Sequence, residues 1–228
     1  MARLRVLVWN VHGFRAGPHR VAAAAAELSP DLILVNEVRF RWRLRRFARV
    51  MGMEVHHGLS VSGSIPNAVL ARPPWRIVEG WSAPLSPTAG LNRRGVVAAR
   101  VGRGGSRLTA ASVHLGVSDG ERVDHVREVT DMLAGAPRPL LVGGDLNESP
   151  DAPAVKWIAD RYFDAFARAG EGPGETFPAR RPRARIDYLF ATDDVQVERT
   201  FVGDSPEIVA ASDHRPLIAD LELDEGPR

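Results

Sequence analysis

The 228-residue sequence contains no cysteine. Disulfide bonds, thiolate metal sites and a cysteine nucleophile are therefore excluded. Lysine is almost as scarce, because Lys156 is the only lysine among 30 cationic residues and all the others are arginines. Arginine binds phosphate in a planar, bidentate manner, but a GC-rich genome also enriches a protein in arginine, alanine and glycine. The skew is therefore compatible with phosphate binding without requiring it.

Long apolar segments are also absent from the sequence. No window approaches the roughly 18 apolar residues that span a bilayer, and the chain begins with a strand-like segment rather than a secretory apolar region. We therefore expect no membrane span and a cytoplasmic location. The net charge of +2 does not by itself indicate a polyanionic partner. The length suits one domain, so we predict a single domain over residues 1–228. The sequence leaves the oligomeric state open, and a monomer is the simplest expectation.

Apolar segments of strand length alternate with helical patterns along the chain. Apolar runs predict strands over residues 3–11, 31–35, 67–71, 93–101, 108–113, 139–142, 186–190, 195–202 and 217–223. Helices are predicted over 19–28, 39–51 and 119–133, with His19 and His125 facing solvent. Residues 81–92 and 170–184 are rich in Gly, Pro, Ser or Arg and predict loops. No internal repeat is visible, and the pattern predicts two packed sheets with outer helices.

Polar side chains follow the apolar strands at the points where the strands end. They are Asn10, Glu37, His114, Asp145, Asn147, Asp187, Asp213 and His214. Strand ends are where a rigid scaffold presents functional groups to a cleft. Each residue alone has an ordinary structural interpretation, such as a turn or the end of a strand. Their joint order along one chain favours a common site.

The residue types in this set suit metal-assisted hydrolysis. Mg²⁺ prefers oxygen ligands and usually takes one or two carboxylates, so Glu37 suits a principal ligand with Asn10 and Asp213 as partners. Asp145 and Asn147 lie two positions apart, and in an extended segment both side chains point to the same face. There they would orient a water molecule and donate a hydrogen bond to a phosphoryl oxygen.

A histidine and a further carboxylate complete the set. His214 with a remote carboxylate such as Asp187 forms a pair in which the carboxylate holds the imidazole and stabilises the imidazolium. Such a pair suits the activation of water for in-line attack on phosphorus.

Taken together, these motifs resemble the endonuclease/exonuclease/phosphatase (deoxyribonuclease-I-like) superfamily. The most specific matches are Gly144-Asp145-Leu146-Asn147 and Ser212-Asp213-His214-Arg215-Pro216, supported by Asn67–Arg72, Arg94-Gly95, Thr176-Phe177-Pro178 and Arg185–Tyr188. The resemblance covers residues 10–216. It implies an α/β fold, the four-layer α/β/β/α sandwich of two mostly antiparallel or mixed sheets with outer helices. It also implies hydrolysis of phosphoesters with Mg²⁺ or Mn²⁺.

The same resemblance assigns roles to individual residues. Glu37 resembles the chief metal ligand, assisted by Asn10 and Asp213. Asp145 resembles the residue that orients or activates the attacking water, and Asn147 resembles the donor of a transition-state hydrogen bond.

Two histidines have roles by the same resemblance. His214 resembles the base or phosphate-binding histidine, oriented by Asp187. His114 resembles the histidine that deoxyribonuclease I and the sphingomyelinases place beside the scissile phosphate, as a general acid or a phosphate ligand. Asn10-Val11-His12 replaces the Asn-x-Asp motif of apurinic endonucleases, which argues against that branch.

Two arginine clusters bear on the substrate. Six arginines fall within residues 39–49 and four within 180–185, and they favour a phosphodiesterase or nuclease acting on nucleic acid. The alternative for the first cluster is an amphipathic helix whose Phe40, Leu44, Phe47 and Met51 face the core while its arginines are solvated. The expected substrate contacts are Arg94, Arg185, Asn67 and His12.

Two other functions remain open. One is a phosphatase or phosphodiesterase acting on small-molecule or lipid phosphates, similar to sphingomyelinases or inositol phosphatases. Residues 81–91 are the candidate for an exposed apolar loop that would favour lipid. The other is a nucleic-acid-binding module that has lost catalysis, and the complete acidic and histidine set argues against it.

Overall fold

Two six-stranded β-sheets form the centre of the protein. The computed structural model describes residues 1–58, 65–87 and 93–223. The first sheet consists of β1 (Ala2–Asn10), β2 (Leu32–Asn36), β3 (Glu54–His57), β4 (Asn67–Ala71), β11 (Gln196–Val202) and β12 (Leu217–Leu223), in the order β11-β12-β1-β2-β4-β3. The second sheet consists of β5 (Arg76–Pro84), β6 (Gly95–Arg103), β7 (Ser106–His114), β8 (Leu140–Asp145), β9 (Phe163–Asp164) and β10 (Asp187–Ala191), in the order β5-β6-β7-β8-β10-β9.

Helices cover the outer faces of both sheets. The first sheet carries α1 (Pro18–Glu27), α2 (Arg41–Met51) and α6 (Pro206–Ala211), and the second carries α3 (Asp119–Leu133) and α4 (Pro153–Ala159). The short α5 (Ala165–Ala169) packs against β10 and β11. The predicted four-layer α/β/β/α sandwich is therefore confirmed. Within the described ranges, no helix is both long enough and apolar enough to cross a membrane.

The largest apolar core lies between the two sheets. It includes the buried side chains of Val8, Leu34, Val97 and Leu189. Leu7 points to the opposite face of β1 and packs beneath the helices, because successive side chains of a strand alternate between its faces. Both faces of β1 are therefore buried, which explains why its sequence is continuously apolar rather than alternating. Full burial of each such side chain contributes about 1.5–3 kcal/mol.

The two halves of the chain have the same strand topology. Each half begins with a parallel strand pair joined by a helix, β1-α1-β2 and β7-α3-β8. Two more strands follow in the same sheet, and the last two strands form an antiparallel pair at the edge of the opposite sheet. Asn10 and His114 end equivalent strands, as do Asn36 and Asp145. The sequence shows no counterpart of this repeat.

Candidate active site

Polar side chains from both sheets meet at the ends of the central strands. Asn10 ends β1 in the first sheet and is buried. Its amide nitrogen donates hydrogen bonds to Glu37 Oε1 at 3.2 Å and to Asp145 Oδ2 at 3.0 Å. Because Asp145 ends β8 in the second sheet, one amide group brings together two carboxylates from different layers of the fold.

Glu37 and Asn147 hold unusual backbone conformations. Glu37 has a φ of 59° and Asn147 a φ of 53°, in the left-handed region that residues other than glycine seldom adopt. Such conformations cost about 1–3 kcal/mol each and are concentrated at functional sites. Each residue follows a buried strand within two positions, so the strand end turns sharply and presents the side chain to the cleft.

Asp145 occupies the centre of the cluster. Its side chain is buried, and its Oδ2 atom lies 3.4 Å from His114 Nε2 and 3.7 Å from His214 Nε2. Burial raises the pKa of Asp145, but the nearby imidazoles and the Asn10 amide outweigh it and hold that pKa below its ordinary value. The carboxylate is therefore ionised at neutral pH.

Asp187 and His214 form a buried pair. The distance from Asp187 Oδ2 to His214 Nδ1 is 2.8 Å. Burial lowers the pKa of His214, but the charge and hydrogen bond of Asp187, reinforced by Asp145 and Asp213, raise it to about 10. His214 is therefore an imidazolium at neutral pH when no other cation is bound beside it.

The segment 212–214 is fastened to the end of β1. Ser212 Oγ donates to the carbonyl oxygen of Asn10 at 2.7 Å, and Trp9 Nε1 donates to the carbonyl oxygen of His214 at 2.9 Å. The Phe177 ring packs on the His214 imidazole with centroids 4.8 Å apart. These contacts fix the imidazole against Asp187 and leave the neighbouring Asp213 side chain 42% exposed.

Asp213 meets one further predicted residue, His12. The distance from Asp213 Oδ1 to His12 Nδ1 is 3.4 Å. The His12 backbone amide also donates to Asn10 Oδ1 at 3.0 Å. The structure therefore brings His12, one of the expected substrate contacts, to the exposed edge of the cluster.

His114 ends β7 beside a buried arginine. Arg94 Nη1 lies 2.8 Å from both ring nitrogens of His114. The Asn147 amide nitrogen lies 3.2 Å from His114 Nε2 and donates to the carbonyl oxygen of Leu115 at the same distance. Burial lowers the pKa of Arg94 while Asp145 and Glu37 raise it, and a guanidinium remains charged in proteins. Arg94 therefore adds a permanent positive charge behind His114.

The donor chemistry at the cluster fits a hard divalent cation. Glu37 and Asp213 offer carboxylate oxygens, which Mg²⁺ and Mn²⁺ prefer, and Asn10 adds an amide oxygen that accepts from the His12 backbone N–H in this structure. Over the described parts of the chain, Glu37 forms no ion pair with an arginine, although its carboxylate converges with that of Asp145. Two converging carboxylates favour a cation between or beside them.

A second arrangement of possible metal ligands overlaps the first. Ligand atoms of Asp145, Asp187 and His214 all lie within 4.8 Å of one another, which is compatible with metal binding. In this group His214 Nδ1 is already hydrogen-bonded to Asp187. The geometry therefore allows a metal ion beside Asp145 either toward Glu37 or toward Asp187 and His214. It does not identify the ion.

Comparison with known proteins identifies the family. The model of the endonuclease/exonuclease/phosphatase family matches residues 7–214. This chain belongs to the endonuclease/exonuclease/phosphatase family. The family resemblance predicted from the sequence is confirmed, and members of the family are phosphoester hydrolases.

Individual proteins are similar to this chain in sequence or in fold. The uncharacterized protein YbhP of Escherichia coli (strain K12) is 26% identical over 181 residues, which are 75% of this chain and 64% of that relative. The mannosyl-6-phosphatase of Bacteroides thetaiotaomicron VPI-5482 superposes with a TM-score of 0.82 at 17% identity, covering 96% of this chain and 100% of that chain. D. rerio TDP2 complexed with single-strand DNA product gives a TM-score of 0.77 at 17% identity, covering 97% and 100%. Both structural matches show the fold alone.

Two of the predicted substrate contacts, Asn67 and Arg185, are bonded to other parts of the protein. Asn67 is fully buried, and its amide nitrogen donates to the carbonyl oxygens of Gly95 and Ser112 in the opposite sheet. Arg185 pairs with Asp164 at 2.6 Å, and only 12% of its side chain is exposed. The structure therefore brings Arg94 and His12 to the cluster but holds Asn67 and Arg185 in contacts within the protein.

Asn36 is a positioning residue that sequence reasoning missed. Its amide oxygen accepts from the Asp145 backbone N–H at 2.9 Å, and its amide nitrogen donates to the carbonyl oxygen of Val113 at 2.9 Å. A buried asparagine thereby ties the ends of β7 and β8 to β2. Gly144 permits this close approach, because its φ is 154° and a Cβ there would overlap the Val113 carbonyl oxygen. Asn36 directly precedes Glu37 in the sequence, and this position was the one sign from which its role could have been predicted.

His125 supports the loop that follows His114. Gly116 N–H donates to His125 Nδ1 at 3.2 Å, and His125 Nε2 lies 3.0 Å from the carbonyl oxygen of Ser86. One ring nitrogen accepts and the other donates, which requires the neutral imidazole. The prediction that His125 faces solvent is therefore wrong, because its side chain is buried against Gly116 and Ser86. His19 is exposed, as predicted.

Proposed function

We propose that this chain is a divalent-metal-dependent phosphodiesterase that hydrolyses nucleic-acid phosphodiesters by in-line attack of water. The observation that carries the proposal is the position of Asp145. An ionised carboxylate lies between two imidazoles and within reach of a second carboxylate, at the open ends of the central strands. This arrangement suits a site that orients water on one side of a phosphorus atom and binds phosphoryl oxygens on the other.

In this proposal Asp145 and His214 have different tasks. Asp145 accepts a hydrogen bond from the attacking water, orients its lone pair toward phosphorus and takes up its proton as the new P–O bond forms. Asp187 stabilises the imidazolium form of His214, so in this proposal His214 donates to a phosphoryl oxygen rather than taking a proton from water. Of the two roles expected for His214, base or phosphate ligand, its protonation favours the phosphate ligand.

Asn147 and His114 act on the remaining phosphoryl and leaving-group oxygens. The Asn147 amide nitrogen donates to the Leu115 carbonyl oxygen and also lies 3.2 Å from His114 Nε2, so a phosphoryl oxygen bound beside His114 is within reach of its second N–H. From there it donates to the charge that develops on the phosphoryl group. His114, backed by Arg94, either binds the phosphate or gives a proton to the leaving oxygen.

The metal site in this proposal is formed by Glu37, Asn10 and Asp213. Bound Mg²⁺ or Mn²⁺ supplies Lewis-acid stabilisation of the phosphoryl charge. The chain's own contribution is to hold the carboxylates in place, through the Asn10 amide and the strained backbone of Glu37.

Exposed arginines support a polyanionic substrate. Arg180, Arg181 and Arg183 are exposed on a loop whose Ala179 N–H donates to the Asp213 carbonyl oxygen at 2.7 Å. This loop therefore borders the cluster on one side, and Arg43 of α2 is hydrogen-bonded to the carbonyl oxygens of Gly13 and Phe14, next to His12. Arginines along a groove neutralise successive phosphates, which suits a strand better than a small monoester.

A phosphomonoesterase is the second candidate. The observation that favours it is the match to the mannosyl-6-phosphatase over nearly the full length of both chains. A lipid phosphate has less support, because Trp81 through Pro84 belong to strand β5 and residues 88–91 lie outside the described residues.

The first experiment compares a diester with a monoester. Hydrolysis of bis(p-nitrophenyl) phosphate and p-nitrophenyl phosphate is measured with Mg²⁺ and with Mn²⁺, beside nicking of a plasmid. Glu37→Ala is expected to lose activity by at least about 100-fold, and Glu207→Ala, an exposed acidic residue on α6, serves as the matched control. A strong monoester preference without nicking would replace the nuclease proposal by the phosphatase. No metal-dependent activity on any substrate would favour a binding module.

A further inference from the structure

The first turn of α2 departs from the amphipathic pattern. Leu44, Phe47 and Met51 are buried as the amphipathic interpretation requires. Phe40, which belongs to the same stripe in the sequence, is 49% exposed, and Trp42 is 61% exposed. Two large aromatic side chains therefore lie in solvent at the start of this helix, where core packing does not explain them.

Arg43 holds the two rings in a defined arrangement. Its guanidinium carbon lies 5.2 Å from the centroid of Phe40 and 5.2 Å from that of Trp42, within cation–π range. Its Nη1 atom donates to the carbonyl oxygens of Gly13 at 2.9 Å and Phe14 at 3.3 Å. The guanidinium is thus fixed to the loop after β1, and each ring keeps a solvent-exposed surface.

This aromatic pair, Phe40 and Trp42, adjoins the candidate active site. The loop that anchors Arg43 begins with His12, whose ring nitrogen lies 3.4 Å from Asp213 Oδ1. Phe40 also follows Glu37 by three residues, so their Cα atoms are at most about 11 Å apart. A ligand that reaches the carboxylate cluster can therefore also reach the aromatic pair.

The surroundings of the aromatic pair are strongly basic. Residues 38–53 contain six arginines and no acidic residue. Over the described ranges, the guanidinium groups of Arg39, Arg41, Arg45 and Arg49 form no salt bridge. Solvated cations beside exposed rings are the combination by which proteins bind single-stranded nucleic acid, with phosphates on the arginines and bases on the rings.

We propose that Phe40 and Trp42 form a stacking platform for unpaired bases, so that the protein prefers a single strand to a duplex. The inference rests on the proposed function, because the strand that stacks here is the one whose phosphodiester lies at the cluster. A duplex already buries its base faces and offers this surface only its phosphates. The arginines would contribute to both kinds of substrate, whereas the rings would contribute only to the unpaired strand.

The test measures binding separately from hydrolysis. Fluorescence anisotropy in EDTA follows a labelled oligothymidylate strand and the same strand paired with oligoadenylate. The Phe40→Leu/Trp42→Leu double variant keeps apolar bulk but removes the rings, and Val50→Ala is the matched control. Val50 is 48% exposed in the last turn of α2, about 12 Å along the axis from Trp42. Thermal melting of each variant establishes that it is folded.

The double variant is expected to bind the single strand at least about fivefold more weakly, the lower end of base–aromatic stacking. Duplex binding should change by less than about twofold, and Val50→Ala should bind both as the wild type does. Equal weakening for strand and duplex, or no weakening, would overturn the platform. The platform would also be overturned if the double variant lost binding to phosphatidylserine vesicles but kept its binding to the single strand. That result would indicate a membrane-binding surface instead.

Wild-type hydrolysis of bis(p-nitrophenyl) phosphate, measured in parallel, keeps the two proposals apart. If the wild type hydrolyses the diester and the double variant binds the strand normally, the platform fails and the phosphodiesterase stands. If the wild type shows no metal-dependent hydrolysis, the proposed function fails, and the anisotropy result then decides the platform on its own as a binding surface.

Discussion

Replacing Asp187 by asparagine should lower the pKa of His214 substantially. Asp187 Oδ2 lies 2.8 Å from His214 Nδ1, and the two side chains are 0% and 7% exposed. Burial lowers the pKa of this imidazole, so the value of about 10 depends on the facing carboxylates, Asp187 first. Asp187→Asn keeps the shape and a hydrogen-bonding oxygen but removes the charge.

The expected size of the change follows from that geometry. Loss of an opposite charge at this range shifts a pKa by about 1–3 units, which places His214 in Asp187→Asn near pKa 7–9. Each unit corresponds to about 1.4 kcal/mol, so the carboxylate contributes about 1–4 kcal/mol to the preference for imidazolium. NMR titration of the ring nitrogens in metal-free protein measures it, with the signal assigned by its loss in His214→Ala.

Stability should follow the same titration. Because the folded-state pKa of His214 is raised from 6.5 to about 10, the stabilisation is complete below pH 6.5 and is lost as the pH rises through 10. Urea unfolding of the metal-free wild type should show this decline, and Asp187→Asn should show a smaller one. The reasoning is refuted if wild-type His214 titrates near its ordinary value, or if Asp187→Asn leaves its pKa unchanged.

Three other perturbations have defined outcomes. Asn36→Ala removes the acceptor of the buried Asp145 N–H and should lower the free energy of unfolding by about 1–3 kcal/mol; unchanged urea unfolding would contradict its positioning role. His125→Ala removes the acceptor of the Gly116 N–H and should reduce turnover and stability, while His125→Gln, which also offers one acceptor and one donor, should restore most of both; equal losses would contradict this. Mg²⁺ at 100 times its Kd should stabilise the wild type by about 2.7 kcal/mol and raise its Tm, but not that of Glu37→Ala; an equal rise in both would place the metal elsewhere.

The elements that the sequence predicted well are those with a dense apolar signal. The predicted strand over 67–71 matches β4 and the predicted helix over 119–133 matches α3. Strand β5 was missed, and part of it fell within a predicted loop. It is the edge strand of its sheet and most of its side chains are exposed, so it shows neither an apolar run nor a clean alternation.

The composition of the candidate site was predictable, but its internal contacts were not. Residues such as Asn10 and Asp145 stood out because they end apolar strands. Their hydrogen bond joins positions 135 residues apart, and only the packing of one sheet on the other creates it. For Arg185 the interpretation from the sequence was misleading. Its partner Asp164 lies on a two-residue strand, which is too short to leave a pattern in the sequence. A basic cluster in the sequence therefore did not reveal which arginine was already neutralised.

The repeated topology also has a consequence for assembly. The halves β1–β6 and β7–β12 are joined by a tight turn at Gly104, and the last two strands of each half pair into the sheet of the other half. The first half supplies Glu37, whereas Asp145 and His214 come from the second. A chain cut at this turn would yield two fragments that are inert alone and complement each other only when mixed. During synthesis, likewise, the candidate site is incomplete until Asp213, His214 and the adjoining β12 have left the ribosome.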